Sequence, residues 1–289
     1  MTARPTTRAL LTVAGTALAS LLLAACGGGS SDTGEKAAAS PSSSALSHVH
    51  GLGVDPADGR MYVATHDGLY TVAKGQEPKL VGDRKDDFMG FTVTGKTTFI
   101  ASGHGAEGSD RPGNLGLIET KNAGRAWTSR SLSGEADFHS LDSAQGIVYG
   151  YEGGRIRVST DLKNWDDRAT LEALDLAASP SGDKLLATTA EGVATSTDGG
   201  RTFGKGSGPV QAFVSWPAEK SLFGIDTSGK LSSSADGGKT WKQLTTVPGG
   251  QPQALTAVDA DHILTATMTG VYESLDGGKT FTELAPLAS

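Results

Sequence analysis

From about residue 46 onward, apolar residues come in short runs of roughly four to seven positions, broken by turns rich in Gly, Asp, Asn and Ser. No stretch there sustains the 3.6-residue period of an amphipathic helix, so the pattern predicts short strands joined by turns. The runs sort into six groups. Their first members open at His48-Val-His50-Gly-Leu-Gly-Val54, Asp87-Phe-Met89-Gly-Phe-Thr-Val93, Asp137-Phe-His139-Ser-Leu141, Leu174-Asp-Leu176-Ala-Ala178, Gln211-Ala-Phe213-Val214 and Gln253-Ala-Leu255-Thr-Ala-Val258. Second members follow, such as Arg60–Thr65, Thr97–Ser102 and His262–Thr267. Two further runs in each group flank a polar turn. Six four-stranded units of about 40 residues predict an all-β, six-bladed β-propeller with antiparallel blades. A parallel β-helix, the second architecture built from such repeats, uses shorter units.

The polar turn is itself a repeat. Ser234-Ala-Asp236-Gly237-Gly238-Lys-Thr240-Trp241 recurs as Ser274–Phe281 and Ser196–Phe203, and in degenerate form as Ser159–Trp165 and Thr120–Trp127. Its Asp or Asn stands at 122, 161, 198, 236 and 276, in steps of 39, 37, 38 and 40 residues. A short Ser or Asp side chain accepts backbone N–H bonds, glycine permits positive φ, and the aromatic packs beneath, so each copy predicts a hairpin of fixed register. The first group has only Lys74-Gly75 where this turn belongs, as terminal repeats often do.

This turn resembles the Asp-box (BNR) signature, Ser-x-Asp-x-Gly-x-Thr-Trp, of sialidase-like propellers. The phrases His48–Asp55, Ala64–Leu69, Asp87–Gly90 and Asp137–His139 make the chain similar to bacterial lipoproteins called glycosylhydrolase-like. The resemblance implies a propeller that binds a ligand, or a sialidase-like exo-glycosidase. A sialidase would need three arginines on the substrate carboxylate, a Tyr–Glu nucleophile pair and an acid Asp; Arg111, Arg155, Arg157, Tyr151, Glu152 and Asp87 or Asp137 are the residues available for those roles.

Ahead of the strands, residues 1–25 carry Arg4 and Arg8 before an apolar run and read as a secretory signal. The ending Leu23-Ala-Ala-Cys26 resembles a bacterial lipobox, in which the cysteine is lipidated. Cys26 is the chain's one cysteine, so an intrachain disulfide is excluded. Residues 26–45 are poor in large apolar side chains and read as a lipidated N-terminus and flexible tether, spanning on the order of 25 Å. Residues 46–289 then form the propeller. These features predict an extracytoplasmic protein held to a membrane by acyl chains. Without Arg4 and Arg8 the chain has 23 basic against 32 acidic residues and no basic cluster, which argues against nucleic acid as a partner. Gly-Lys-Thr at 238–240 and 278–280 lies within two of the turns, and Ser233 and Glu273 stand where a phosphate loop has its first glycine.

Candidate chemistry gathers on the face opposite the turns. In a propeller the first strand of a blade starts where the second one ends. His50, Met89 and His139 occupy equivalent positions in blades one to three, with His48, Asp87 and Asp137 two residues ahead of each. His66, His104 and Tyr151-Glu152 follow at the ends of the second strands. His104 also opens the longest insertion, His104–Asn114, which carries Glu107 and Asp110. Ligand-binding residues are therefore expected at His48, His50, His66, Asp87, Met89, His104, Asp137 and His139. His50, Met89 and His139 would suit a copper ion, and added carboxylates zinc. Partners expected at this face are a small polar ligand, a glycan or an extracytoplasmic protein. A glycosidase would draw its paired carboxyls from Asp87, Asp137, Glu107, Asp110 and Glu152.

Overall fold

The computed structural model describes residues 46–288. The signal at 1–25, the tether at 26–45 with Cys26, and Ser289 lie outside the described residues.

Each blade is cut from consecutive chain, with its strands hydrogen-bonded in sequence order. Blade one is Val49–Val54, Met61–Thr65, Gly68–Val72 and Lys79–Leu80; blade two is Asp87–Gly95, Thr98–His104, Leu117–Thr120 and Thr128–Ser131. Blade three is Ser140–Ala144, Ile147–Glu152, Arg155–Ser159 and Asp166–Thr170. Blade four has Leu176–Ala178, Leu185–Thr189 and Gly192–Ser196, its fourth strand reduced to a bridge between Val193 and Ser207. Blade five is Phe213–Ala218, Ser221–Ile225, Lys230–Ser234 and Lys242–Thr246; blade six is Pro252–Ala257, Ile263–Thr267, Gly270–Ser274 and Thr282–Pro286. The six sheets form the expected propeller.

The alternation of side chains along a strand explains the ring. In blade one, Val63 and Val72 pack toward Leu264 and Val271 of blade six, while Tyr62, Ala64 and Leu69 pack toward Phe88 and Phe99 of blade two. Both faces of each blade are thus apolar, and a buried cluster fills each of the six junctions. A fully buried Phe99 or Ile156 contributes about 2–3 kcal/mol to such a junction. Side chains also bond from one blade to the next: the Phe138 N–H donates to Ser102 Oγ at 2.9 Å, Leu176 N–H to Ser140 Oγ at 3.1 Å, and Val214 N–H to Asp175 Oδ2 at 3.0 Å. The ring closes where the Val49 N–H donates to Gln253 Oε1 at 2.8 Å. On the rim, Leu46 bridges Leu287 in parallel, and the Ala288 N–H donates to the Leu46 carbonyl at 2.8 Å.

The repeated turns hold themselves as their residues require. In blade five the Gly238 N–H donates to Ser234 Oγ at 2.9 Å, and the Thr240 N–H and hydroxyl donate to Asp236 at 2.9 and 2.6 Å. These bonds stabilise the charged carboxylate and pull Asp236 down to about 2. Gly237 and Gly238 take positive φ; the degenerate copies force Ala123 and Leu162 into the same region, at 57° and 62°. Trp165 packs on Phe138 with ring centroids 4.6 Å apart and donates from Nε1 to Ser131 Oγ of blade two at 2.8 Å. These turns brace blade against blade, at the end of the ring away from His48, His50, His66, His104 and His139; His262 lies at the turn end, beside the blade-six copy.

Candidate ligand-binding mouth

First strands from all six blades line a central channel of about 520 Å³. At one end a second cavity of about 270 Å³ is lined by His48, His50, Met89 and His139 from blades one to three, with Phe213, Gln253 and Met268 from blades five and six. Residues 89 positions apart in the chain are brought there by the repeat, because the second strand of each blade ends beside the start of the next blade's first strand.

Two brackets of the same design sit at the first two junctions. His66, ending the second strand of blade one, places Nδ1 2.7 Å from Asp87 Oδ2 at the start of blade two. His50 reaches the same carboxylate, with Nε2 3.6 Å from Oδ1. One junction on, His104 Nε2 lies 3.1 Å and His139 Nε2 2.8 Å from Asp137 Oδ2. His104 Nδ1 also lies 3.1 Å from the Gly113 carbonyl, which ties the insertion to the mouth.

The brackets differ electrostatically. His50 is pushed down to about 3, first by burial and then by the neighbouring His66, His48 and His139, which leaves it a neutral imidazole. His48 is lowered by burial and by His66. Ring centroids of His48, His50 and His66 lie 4.5 to 5.4 Å apart. His139 is raised instead, chiefly by its hydrogen bond to Asp137. In the first bracket, His50 Nε2 and Asp87 Oδ1 are buried without hydrogen-bond partners, as is Asp137 Oδ1 in the second. Donor atoms of His50, His66 and Asp87 all lie within 4.8 Å of one another, a spacing able to hold a metal ion.

All eight expected binding residues therefore belong to this mouth. The metal set expected from repeat alignment, His50 with Met89 and His139, is regrouped. Met89 lines the cavity beside them, but the imidazoles of His50 and His139 are drawn to different carboxylates. Of the candidates for hydrolysis, Tyr151 is buried in the junction of blades three and four, and its hydroxyl accepts the Ala173 N–H at 3.2 Å. Glu152 Oε1 accepts the Asp137 N–H at 2.8 Å, and Arg157 lies 3.7 Å from its other oxygen. Arg155 pairs with Asp167 at 2.6 Å. Glu107 and Asp110 are exposed.

Sequence reasoning passed over Asp86 and Asp142, and aligned Asp175 of blade four near the position of the first-strand ligands without giving it a role. Asp86 is fully buried, pairs with Arg84 and Arg111, and accepts the Ala106 N–H at 2.9 Å, so it anchors the insertion from below. Its signal was the Asp86-Asp87 doublet, one carboxylate facing inward and one to the mouth. Asp142 and Asp175 line the channel, and burial pushes them up to about 6 and about 7.

The class defined by this fold and mouth is a six-bladed propeller with a histidine- and carboxylate-lined opening. No protein-family model and no curated protein matches the chain. Among solved structures it resembles YCF48 bound to a D1 peptide, at 18% identity over 83% of each chain with TM-score 0.52. It also resembles a chain of the nidogen/laminin complex, at 10% identity over 80% of this chain and 93% of that one with TM-score 0.60. An ancestral GH74 enzyme is similar at 14% identity and TM-score 0.53, and there the match spans 84% of this chain but 38% of the enzyme. Likeness at these identities establishes the propeller fold.

Proposed function

We propose that the chain is an extracytoplasmic binding propeller, held to a membrane face by lipid on Cys26 once residues 1–25 are removed, that takes its ligand at the mouth over blades one to three. The observation that carries this reading is the convergence of five imidazoles and two carboxylates on one opening, with polar atoms of His50, Asp87 and Asp137 left unpaired there. Buried polar atoms without partners are costly unless something else satisfies them. The ligand class is a polar small molecule, a glycan or an extended segment of an extracytoplasmic protein; the peptide seated on YCF48 offers a parallel on a related ring. Copper or zinc is the cofactor class that suits the imidazole-rich donors.

Capture from a cell-envelope extract tests this reading. The wild-type chain should retain a partner that is lost when His50 and His139 are both changed to Ala; equal retention by both would refute it. Changing Cys26 to Ser should move the protein from the detergent phase to the aqueous phase. Glycoside hydrolysis through Asp87 and Asp137 is the alternative, favoured by the position of both carboxylates at one opening. A panel of chromogenic glycosides decides it, since turnover abolished by Asp87→Asn or Asp137→Asn would replace the binding reading.

A further inference from the structure

The two brackets follow one plan, yet only the first has the donor spacing of a metal centre. We propose that His50 Nε2, His66 Nδ1 and one oxygen of Asp87 form a site for a borderline divalent ion of the zinc type, bridging blades one and two. This deepens the binding reading above and rests on it for the place of the ligand.

Spacing is the first argument. A tetrahedral ion with ligands at about 2.0–2.1 Å needs donor atoms roughly 3.3 Å apart. His66 Nδ1 lies 2.7 Å from Asp87 Oδ2 and His50 Nε2 3.6 Å from Asp87 Oδ1, and one donor atom from each of the three residues lies within 4.8 Å of the other two. Small side-chain rotations bring the donors to the tetrahedral spacing.

Unmet hydrogen bonding is the second. His50 Nε2 and Asp87 Oδ1 are both buried, both unpartnered, and face each other. A plain His–Asp hydrogen bond would close to about 2.7–2.9 Å, as His66 does on the other oxygen. An ion between the three residues satisfies both atoms at once.

Support from the scaffold is the third. The partner strands register Asp87 opposite His104, and the backbone there bends at Gly103 with φ +140°, where a Cβ would meet the Asp87 carbonyl and the Met89 nitrogen. The carboxylate is therefore set by the backbone and does not hang from a mobile loop. His48, with its ring 4.9 Å from that of His50, and the cavity holding Met89 and His139 adjoin the site, so the remaining coordination position opens toward that cavity. Three protein ligands with an open fourth position is the arrangement that presents an ion to a donor-bearing ligand.

The second bracket is the internal control. There the two imidazoles share the single oxygen Asp137 Oδ2 and His104 is also held by the Gly113 carbonyl, so both imidazoles are committed while Asp137 Oδ1 stays unpaired.

Calorimetric titration of the chelator-stripped, untagged chain with zinc chloride tests the assignment. One ion per chain is expected, with a melting temperature raised by roughly 5–10 °C when zinc is present at about 100 times Kd. His66 is half exposed, so His66→Ala folds; it should weaken zinc at least ~10-fold, as should Asp87→Asn. His262 pairs with Glu273 away from the mouth, and His262→Ala should leave zinc affinity unchanged. Equal affinity in wild type and His66→Ala, or loss on His262→Ala with His66→Ala normal, overturns the site. Partner capture repeated in chelator separates the two readings: capture that persists without any zinc binding removes the ion and leaves the binding propeller standing, and zinc bound at one equivalent without capture does the reverse.

Discussion

Asp175 offers a test of the channel wall that needs no ligand. Its carboxylate spans three blades, accepting the Ser140 hydroxyl at 2.9 Å from blade three and the Val214 N–H at 3.0 Å from blade five. Burial nevertheless pushes its pKa from 3.8 up to about 7, against the pull of those bonds, and Asp142 nearby adds to the rise. The sign follows from linkage. A carboxyl that keeps its proton in the folded chain at a pH where the unfolded chain has lost it stabilises below the unfolded value, and that contribution fades as pH climbs to the folded one. The part of this rise that falls between pH 5 and 7 corresponds to about 2.7 kcal/mol, which partial exposure to solvent reduces to about 2 kcal/mol. Asn keeps an acceptor for Val214 and a donor toward Ser140, and does not ionise. The substitution changes no other ionisable group, so the difference between the two reports Asp175 together with its coupling to Asp142. The melting temperature of Asp175→Asn relative to wild type should rise by about 4–8 °C between pH 5 and pH 8, followed by calorimetry across that range. A difference independent of pH, or a variant that falls behind wild type as pH rises, would refute the reasoning.

Three further outcomes are expected. Ser234→Ala removes, at a buried position, the acceptor of the Gly238 N–H and the donor to Asp236, and should lower stability by about 1–2 kcal/mol in urea titration. Gly103→Ala cannot keep φ +140° or clear the Asp87 carbonyl; it should destabilise by about 2–3 kcal/mol in the same assay and disorder the first bracket, seen as shifted imidazole resonances of His50 and His66. Asp137→Asn takes away the bond that raises His139, so the His139 resonance should titrate at lower pH in the variant; in wild type this pair contributes stability that is full below about pH 6.5 and is lost as pH rises through the raised value.

The fold was legible because its determinants are local. Each Ser-x-Asp turn carries its own hydrogen bonds, and each strand carries the alternation that puts Tyr62 toward one neighbour and Val63 toward the other. Blade four departs in part from the four strands expected of each unit: Thr202 to Val210, with three glycines and a proline, meets the third strand through Ser207 at Val193 and Gly204 at Thr195. The residues of the mouth were also legible, since equivalent positions in successive blades must approach the same axis. Their grouping was not. Aligning repeats places His50 beside His139 as equals, whereas the carboxylates recruit imidazoles across junctions, so His66 of blade one belongs with Asp87 of blade two. Tyr151 was misjudged for a similar reason: alternation at the end of its strand turns the ring into the junction, where the Ala173 N–H occupies its hydroxyl. Asp142 sits among small and apolar neighbours in the chain, and only the closed ring shows that it lines the channel beside Asp175.

The claim on which the rest depends is that His50, His66 and Asp87 act together at the mouth. Anomalous diffraction at the zinc edge from crystals of the propeller grown with one equivalent of zinc addresses it directly. A single peak about 2.0–2.1 Å from His50 Nε2 and His66 Nδ1 and in contact with Asp87 is the expected result. An empty bracket, or density confined to His262 and Glu273 on blade six, would contradict it.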